Sequence, residues 1–161
     1  MGTIIQWNCR GLKINFLEIT LLVQAFLPVA FCLQESHLKR SDNISFKNYS
    51  IYSTYVDEND RAAGGSTILV KDQVLHSPVD LNTDLQAIAV RISLDKTITL
   101  CSLYIPPNSS LNLNQLKHLT DQLPVPYILL GDFNGHNPLW GSNTINDKGK
   151  IIEGLMNQED L

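Results

Sequence analysis

The sequence has 161 residues, of which 43% are hydrophobic and 17% are charged. This composition can bury the core of one domain of ordinary size, and it excludes a disordered chain. The formal net charge is −4, so the chain lacks the Lys/Arg excess that is typical of strongly basic nucleic-acid-binding domains. A polyanionic substrate would therefore have to be attracted by a metal ion or by a local basic patch.

The three cysteines lie in apolar stretches and form no C-x-x-C pair, which argues against a structural zinc site. An odd number of cysteines in buried-looking segments is typical of reduced thiols in an intracellular protein. No apolar run is long enough to cross a bilayer, so we expect no membrane span.

The first part of the chain predicts a strand, a helix and a second strand. Residues 3–8 are β-branched and aromatic, as in a strand, and residues 13–26 have apolar side chains at helical spacing. The helix is expected to end before Pro28, and residues 29–34 form an apolar run typical of a strand covered on both faces. The helix face expected to point to the core comprises Ile14, Phe16, Leu17, Ile19, Leu21 and Leu22.

The middle of the chain alternates between apolar and polar residues, which predicts several short strands. These strands are expected over residues 49–55, 66–71, 73–79, 85–94 and 97–105. Residues 57–65 contain two adjacent glycines and are expected to form a loop. Asp95 and Lys96 separate the last two strands and predict a tight hairpin.

The last third predicts a helix, a strand and a short helix. Pro106 cannot continue a central strand, and Ser109 or Ser110 is expected to cap a helix over residues 111–123. Residues 124–133 predict a strand whose "YILL" segment is buried, and a short helix is expected near residues 149–158. The element order favours an α/β or α+β sandwich with a largely antiparallel sheet.

Five polar side chains lie at or near the ends of four predicted strands: Asn8, Glu35, Tyr104, Asp132 and Asn134. Neighbouring strands can bring such ends to one edge of a sheet, where loops build sites. Asp132 and Asn134 are two residues apart, so in an extended segment both side chains point the same way.

This set of side chains is suited to metal-assisted phosphoester cleavage. Glu35 could bind Mg²⁺ with an amide oxygen from Asn8 nearby, and Asp132 could orient or deprotonate the attacking water. Asn134 and Tyr104 could donate hydrogen bonds to the phosphoryl oxygens. Each residue also has an ordinary structural explanation, since Asn and Asp favour turns, a Glu after a strand is often solvated and Tyr often packs.

Five segments in this order resemble the endonuclease/exonuclease/phosphatase superfamily: "IIQWNCRGL", "FCLQESHL", "GGSTILV", "LYIPP" and "ILLGDFNGHNPLWGS". More narrowly, they resemble the endonuclease of jockey-like non-LTR retrotransposons. The W-N start, the Q-E pair, Y-x-P-P and G-D-F-N are marks of the whole superfamily. The continuation over residues 136–142 indicates the retrotransposon branch. The resemblance covers nearly the whole chain.

The resemblance implies a four-layer α/β sandwich of two largely antiparallel sheets flanked by helices. It also implies Mg²⁺-dependent phosphodiester hydrolysis, with Mn²⁺ as the alternative ion. In the retrotransposon branch this activity nicks target DNA for a linked reverse transcriptase domain, which places its action in the nucleus. The matched catalytic residues are Asn8, Glu35, Tyr104, Asp132 and Asn134, of which Glu35 and Asn8 bind the metal.

Two departures from the family pattern affect these expectations. Arg10 stands where some relatives carry an acid, and residues 1–161 contain no Ser-Asp-His segment, whose histidine contacts the scissile phosphate in the family. We therefore expect residues 1–161 to form a partial, marginally stable domain that is incomplete at the C-terminal end, with open sheet edges and apolar faces. The alternatives are a catalytically inactive remnant, or a superfamily member that acts on a small phosphate ester or on abasic-site DNA.

None of the four histidines lies in a matching segment. His37 is expected at the rim of the cleft, and His136 is placed either near substrate or in a structural role in its loop. His76 and His118 are expected to be ordinary surface or packing residues.

Overall fold

A computed structural model describes residues 2–55, 57 and 59–159, so Glu58 of the expected loop lies outside the described residues. Eight strands, three α-helices and one 3₁₀ turn occur in this part of the chain. In chain order they are β1 (Ile4–Asn8), α1 (Phe16–Phe26), β2 (Ala30–Gln34), β3 (Tyr49–Ser53), β4 (Ser66–Lys71), β5 (Leu75–Val79), β6 (Gln86–Ser93), β7 (Thr97–Tyr104), α2 (Leu113–Thr120), β8 (Tyr127–Asp132), the 3₁₀ turn (Pro138–Trp140) and α3 (Asp147–Glu159).

The strands form two four-stranded sheets. Sheet 1 has the order β1-β2-β4-β3 and sheet 2 has the order β5-β6-β7-β8. Only β1/β2 and β7/β8 pair in parallel, so both sheets are largely antiparallel, as expected. The parallel registers place Asn8 beside Gln34 and Tyr104 beside Asp132. The polar ends of four strands therefore lie at one end of the two sheets.

Three apolar clusters separate four layers and confirm the predicted sandwich. Helix α1 covers the outer face of sheet 1, where Ile19 and Val23 pack with Phe31. The second cluster lies between the sheets and includes Ile68 and Leu100. Helices α2 and α3 cover the outer face of sheet 2 in the third cluster. Because side chains alternate between the faces of a strand, one strand supplies two clusters.

Helix α1 buries only part of the predicted face, since Ile19 and Leu22 pack in the core and Val23 joins them. Ile19 and Val23 are buried, whereas Ile14, Leu17 and Leu21 are 84%, 71% and 56% exposed. The helix begins at Phe16 rather than near residue 13, so Ile14 lies in the preceding turn. The apolar residues on α1 cover more than one face, and their spacing did not show which face meets the sheet.

Strand β8 is half-buried rather than buried, which corrects the prediction for "YILL". It is an edge strand of sheet 2, and Ile128 is 43% exposed. The cap of α2 is also different: Asn112 caps the helix, because its side chain accepts from the Gln115 N–H at 2.9 Å while the Gln115 side chain accepts from the Asn112 N–H. The hydroxyl of Ser109 instead donates to the Pro106 carbonyl at 2.8 Å.

The three cysteines are free and buried, as expected. Burial raises the pKa of the Cys9 thiol to about 11 and the pKa values of the Cys32 and Cys101 thiols to about 12. Within the described ranges, no helix is both long and apolar enough to cross a membrane.

Candidate active site

Asn8 joins the two predicted acidic residues of the site. Its side-chain Nδ2 donates to Glu35 Oε1 at 2.8 Å and to Asp132 Oδ2 at 2.7 Å. Its Oδ1 accepts from the backbone N–H of Arg10 at 3.2 Å. The amide nitrogen thus faces the carboxylates and the amide oxygen is already hydrogen-bonded. These bonds make Asn8 a positioning residue for both carboxylates, and metal binding by its amide oxygen stays a prediction.

Glu35 follows β2 and is surrounded by three polar side chains. Besides Asn8, the hydroxyl of Tyr104 is hydrogen-bonded to Glu35, and His37 Nε2 lies 3.7 Å from Glu35 Oε2. The Glu35 side chain is 22% exposed, so it can reach a ligand from solvent. Burial, followed by the charges of Glu35 and Asp132, raises the pKa of Tyr104 to about 12. The Tyr104 hydroxyl is therefore protonated at neutral pH and acts as a hydrogen-bond donor.

Asp132 and Asn134 both line the cleft described below, but they do not lie in the single extended segment that their spacing predicted. The strand ends at Asp132, and Asn134 has φ +48°. The Asn134 side chain donates to the carbonyl of Ile105 at 3.0 Å, while its backbone N–H donates to Asp132 Oδ1 at 3.1 Å. Asn134 thus orients Asp132 and holds the loop after β7. At Gly131, a Cβ would lie 1.9 Å from the Leu103 carbonyl oxygen, so only glycine fits this approach.

The backbone around the site is strained at several non-glycine positions. Arg10, Glu35, His37 and Asn134 all have φ between 48° and 53°. Left-handed conformations at such residues cost of order 1–3 kcal/mol each and concentrate at functional sites. The turn after β1 is held against β2 by hydrogen bonds from the backbone N–H groups of Cys9 and Gly11 to Gln34 and Glu35. These bonds keep Asn8 and Glu35 side by side.

Gln34 precedes Glu35 and links the two sheets next to the site, and it was not among the predicted site residues. It is fully buried at the end of β2, and its Nε2 donates to Ser102 Oγ of the other sheet at 2.9 Å. Its Oε1 accepts from Gln6 Nε2. The sequence signal was an amide in an otherwise apolar strand, since such a group is buried only when it is hydrogen-bonded. The bond ties the two sheets together beneath Glu35 and Asp132.

A cleft of about 520 Å³ opens beside this polar cluster. It is lined by Asn8 and Asp132 of the polar cluster and by apolar side chains that include Trp140, Ile152 and Met156. His136 also lines the cleft and is exposed, whereas His37 lies beside Glu35.

The other two histidines have structural contacts away from the site. His76 meets Tyr52 edge-to-face, and His118 Nε2 lies 3.1 Å from the Asn82 carbonyl oxygen.

The segment that we call the site loop, residues 133–146, is fixed to the start of α3. Asn146 Oδ1 accepts from the N–H groups of His136 and Gly149 at 2.9 and 2.8 Å, and its Nδ2 donates to the Asn134 carbonyl at 2.9 Å. Lys148 is buried and donates to the carbonyls of Pro106 and Pro107 at 2.6 Å each. The Lys148 bonds thus join α3 to the loop after β7, and the Asn146 bonds join the two ends of the site loop to each other and to α3.

The donor set fits a hard divalent cation that takes few protein ligands. The available groups are carboxylate oxygens, and Mg²⁺ usually takes one or two carboxylates together with water and phosphate oxygens. Across residues 2–55, 57 and 59–159, no group of three or more His, Cys, Asp or Glu side chains could hold a metal ion by itself. Glu35 is the residue that would hold the cation, because both Asp132 oxygens already accept hydrogen bonds from Asn8 and Asn134. Of the Glu35 oxygens, Oε1 accepts from Asn8, and Oε2 has the ring nitrogen of His37 at 3.7 Å.

A family model described as endonuclease-reverse transcriptase matches residues 98–161, a range that contains Tyr104, Asp132 and Asn134. Among solved structures, the endonuclease domain of TRAS1, a telomere-specific non-LTR retrotransposon, superposes with a TM-score of 0.80 at 20% identity. The match covers 96% of this chain and 70% of that domain. Residues 98–161 are thus similar in sequence to endonuclease-reverse transcriptases, and the chain has the fold of the TRAS1 endonuclease domain.

Curated relatives of the chain are proteins of transposons, in agreement with the resemblance noted in the sequence. The probable RNA-directed DNA polymerase from transposon X-element of Drosophila melanogaster is 23% identical over 157 residues. The RNA-directed DNA polymerase from mobile element jockey of the same species is 25% identical over 154 residues. These matches cover 95% and 93% of this chain but only 17% of each relative.

Proposed function

We propose that this chain is a DNA-nicking endonuclease domain of a non-LTR retrotransposon, which hydrolyses a phosphodiester bond with the help of Mg²⁺ or Mn²⁺. The observation that carries the proposal is the bridge from Asn8 to both Glu35 and Asp132, with the Tyr104 hydroxyl alongside. A carboxylate that lines an open cleft, with a second carboxylate and a neutral hydroxyl beside it, suits an attack by water on a phosphorus atom.

The side chains divide the chemistry between them. Asp132, oriented by Asn8 and Asn134, accepts a proton from the attacking water. Tyr104, protonated at neutral pH, would turn its one O–H from Glu35 to a phosphoryl oxygen and donate a hydrogen bond there as charge develops. Glu35 holds the cation, which when bound supplies Lewis-acid stabilisation of that charge. As the water oxygen bonds to phosphorus, the bond to the 3′ oxygen breaks and the other strand end keeps a 5′-phosphate. The released 3′ oxygen takes a proton from solvent and becomes a 3′-hydroxyl, the group that a polymerase extends.

A plasmid-nicking assay tests the proposal. Supercoiled plasmid with Mg²⁺ is expected to convert to the open circular form, and Asp132→Asn and Glu35→Gln are each expected to lower the rate by at least about a hundredfold. Asp95→Asn is the matched control, because Asp95 is an exposed acid in the β6–β7 turn, at the opposite end of sheet 2 from Tyr104. Equal rates in Asp132→Asn and in the wild type would contradict the assigned role.

The same assay distinguishes the alternatives. Cleavage only of abasic-site plasmid, or phosphate release from a small ester without nicking, would move the chain to another activity of the superfamily. A folded chain that does neither would be an inactive remnant.

We also propose a reverse transcriptase domain of the same element as the partner. The support is that the relatives are named RNA-directed DNA polymerases and that the chain spans 17% of their length. Nuclear localisation stays a prediction.

A further inference from the structure

The apolar part of the cleft lining has no role in the phosphate chemistry described above. It shares one cavity with Asn8 and Asp132, yet its wall is built from Trp140, Ile152 and Met156. Trp140 is 39% exposed and Met156 is 37% exposed, so this wall is open to solvent. A nucleotide whose phosphate lies at Asp132 places its sugar and base within such a cavity.

We propose that Trp140 is the stacking surface for a nucleobase next to the scissile phosphate, and thereby helps to determine where the DNA is cut. The inference rests on the proposed endonuclease function and goes beyond it by assigning a nucleobase subsite. Aromatic rings bind bases in a sequence-tolerant way, because every base has a π-face. An indole in the same cleft as the reacting phosphate positions the strand without depending on the net charge of the chain.

The indole is held in place before any substrate arrives. Its Nε1 donates to the carbonyl of Gly135 at 2.9 Å, which uses its one polar atom and leaves only ring faces and edges for other contacts. The 3₁₀ turn that carries it is capped by Asn137, whose Oδ1 accepts from the Leu139 N–H at 3.0 Å. Asn137 Nδ2 in turn donates to Glu153 Oε2 of α3 at 2.8 Å.

Such preorganisation means that little conformational entropy is lost when a base stacks on the ring. Leu139 precedes Trp140 in the same turn and is 68% exposed, but it does not line the cleft. The turn therefore presents one apolar side chain to the cleft and its neighbour to solvent. A substitution of Leu139 is therefore a matched control for a substitution of Trp140.

The test measures binding separately from cleavage. Affinity for a short fluorescein-labelled DNA duplex is measured by anisotropy in EDTA, and nicking of plasmid is measured with Mg²⁺. Trp140→Leu is expected to weaken binding about tenfold or more and to spread the nicks over more positions. Trp140→Phe keeps an aromatic face but loses the bond to Gly135, so it is expected to bind within about threefold of the wild type. Leu139→Ala is expected to match the wild type.

Each outcome decides between the claims. If Trp140→Phe is as impaired as Trp140→Leu, the bond to Gly135 matters and stacking does not, and the inference is wrong. It is also wrong if Trp140→Leu binds and nicks like the wild type, and in that case the endonuclease function stands. If the wild type neither binds nor nicks DNA, the proposed function fails and the inference fails with it. As a direct readout, adding DNA is expected to quench indole fluorescence in the wild type, and this quenching is expected to be lost in Trp140→Phe.

Discussion

Replacing Gly149 with alanine is expected to separate the site loop from α3. Gly149 lies in the first turn of α3, and a Cβ there would come within 1.9 Å of the His136 carbonyl oxygen and 2.7 Å of the carbonyl carbon. Ordinary contact begins at 3.4 Å, so the two backbones would have to move apart by about 1.5 Å. His136 cannot move freely, because Asn146 bonds to both its N–H and its carbonyl.

The magnitude follows from three contributions. Overpacking against rigid backbone costs about 1–3 kcal/mol. Weakening the Asn146 cap, which holds the N–H of Gly149 at 2.8 Å, costs about 0.5–2 kcal/mol more. The better helix propensity of alanine returns roughly 0.5–1 kcal/mol. We therefore expect a net loss of about 0.5–4.5 kcal/mol in the free energy of unfolding.

Urea unfolding followed by circular dichroism measures this loss, and Gly154→Ala is the matched control. Gly154 lies in the same helix, but a Cβ there would meet only the Leu113 side chain at 3.7 Å, which is an ordinary contact. This variant is expected to gain about 0.5–1 kcal/mol. The two substitutions are chemically identical. A loss of stability in one variant and a gain in the other can therefore come only from the packing of α3 on His136. A Gly149→Ala chain as stable as the wild type would refute the reasoning.

Three further predictions concern buried polar groups. Lys148→Met leaves two proline carbonyls without their donor and is expected to lower the free energy of unfolding by about 1–3 kcal/mol in urea, whereas Lys150→Met, at an exposed position, is expected to change it by less than about 0.5 kcal/mol. If the two lysine variants are equally stable, the buried ammonium has no stabilising role. The three thiols are expected to resist Ellman's reagent at pH 8 in the folded chain and to react fully in urea, because burial raises their pKa values; rapid labelling without urea would contradict their burial. The raised pKa of Tyr104, about 12, means that the folded state keeps a proton that the unfolded chain releases near pH 10, so stability is expected to fall between pH 10 and pH 12, and less steeply in Tyr104→Phe. Identical slopes in urea titrations of Tyr104→Phe and the wild type would be inconsistent with that shift.

The strands and their order could be read from the sequence because local patterns carry that information. Alternation located β6 and β7, and a continuous apolar run located β2, which is buried at every position. The ordered segments then indicated the superfamily and the four-layer sandwich. The buried face of α1 and the cap of α2 were harder to predict from the sequence. Helix α1 carries apolar residues on more than one side, and three residues near the start of α2, Asn112 and two serines, are all suitable caps.

The sequence by itself determined which polar residues end the strands, since Asn8, Glu35, Tyr104 and Asp132 each stand out against an apolar segment. Only the tertiary structure decided how they act together. The spacing of Asp132 and Asn134 predicted parallel side chains, but a left-handed residue after the strand turned Asn134 toward Ile105. The orientation of Asn8 likewise depends on two carboxylates that are 27 and 124 residues away in the chain. Spacing along a chain limits where a side chain can point, but hydrogen bonds between distant residues decide where it does.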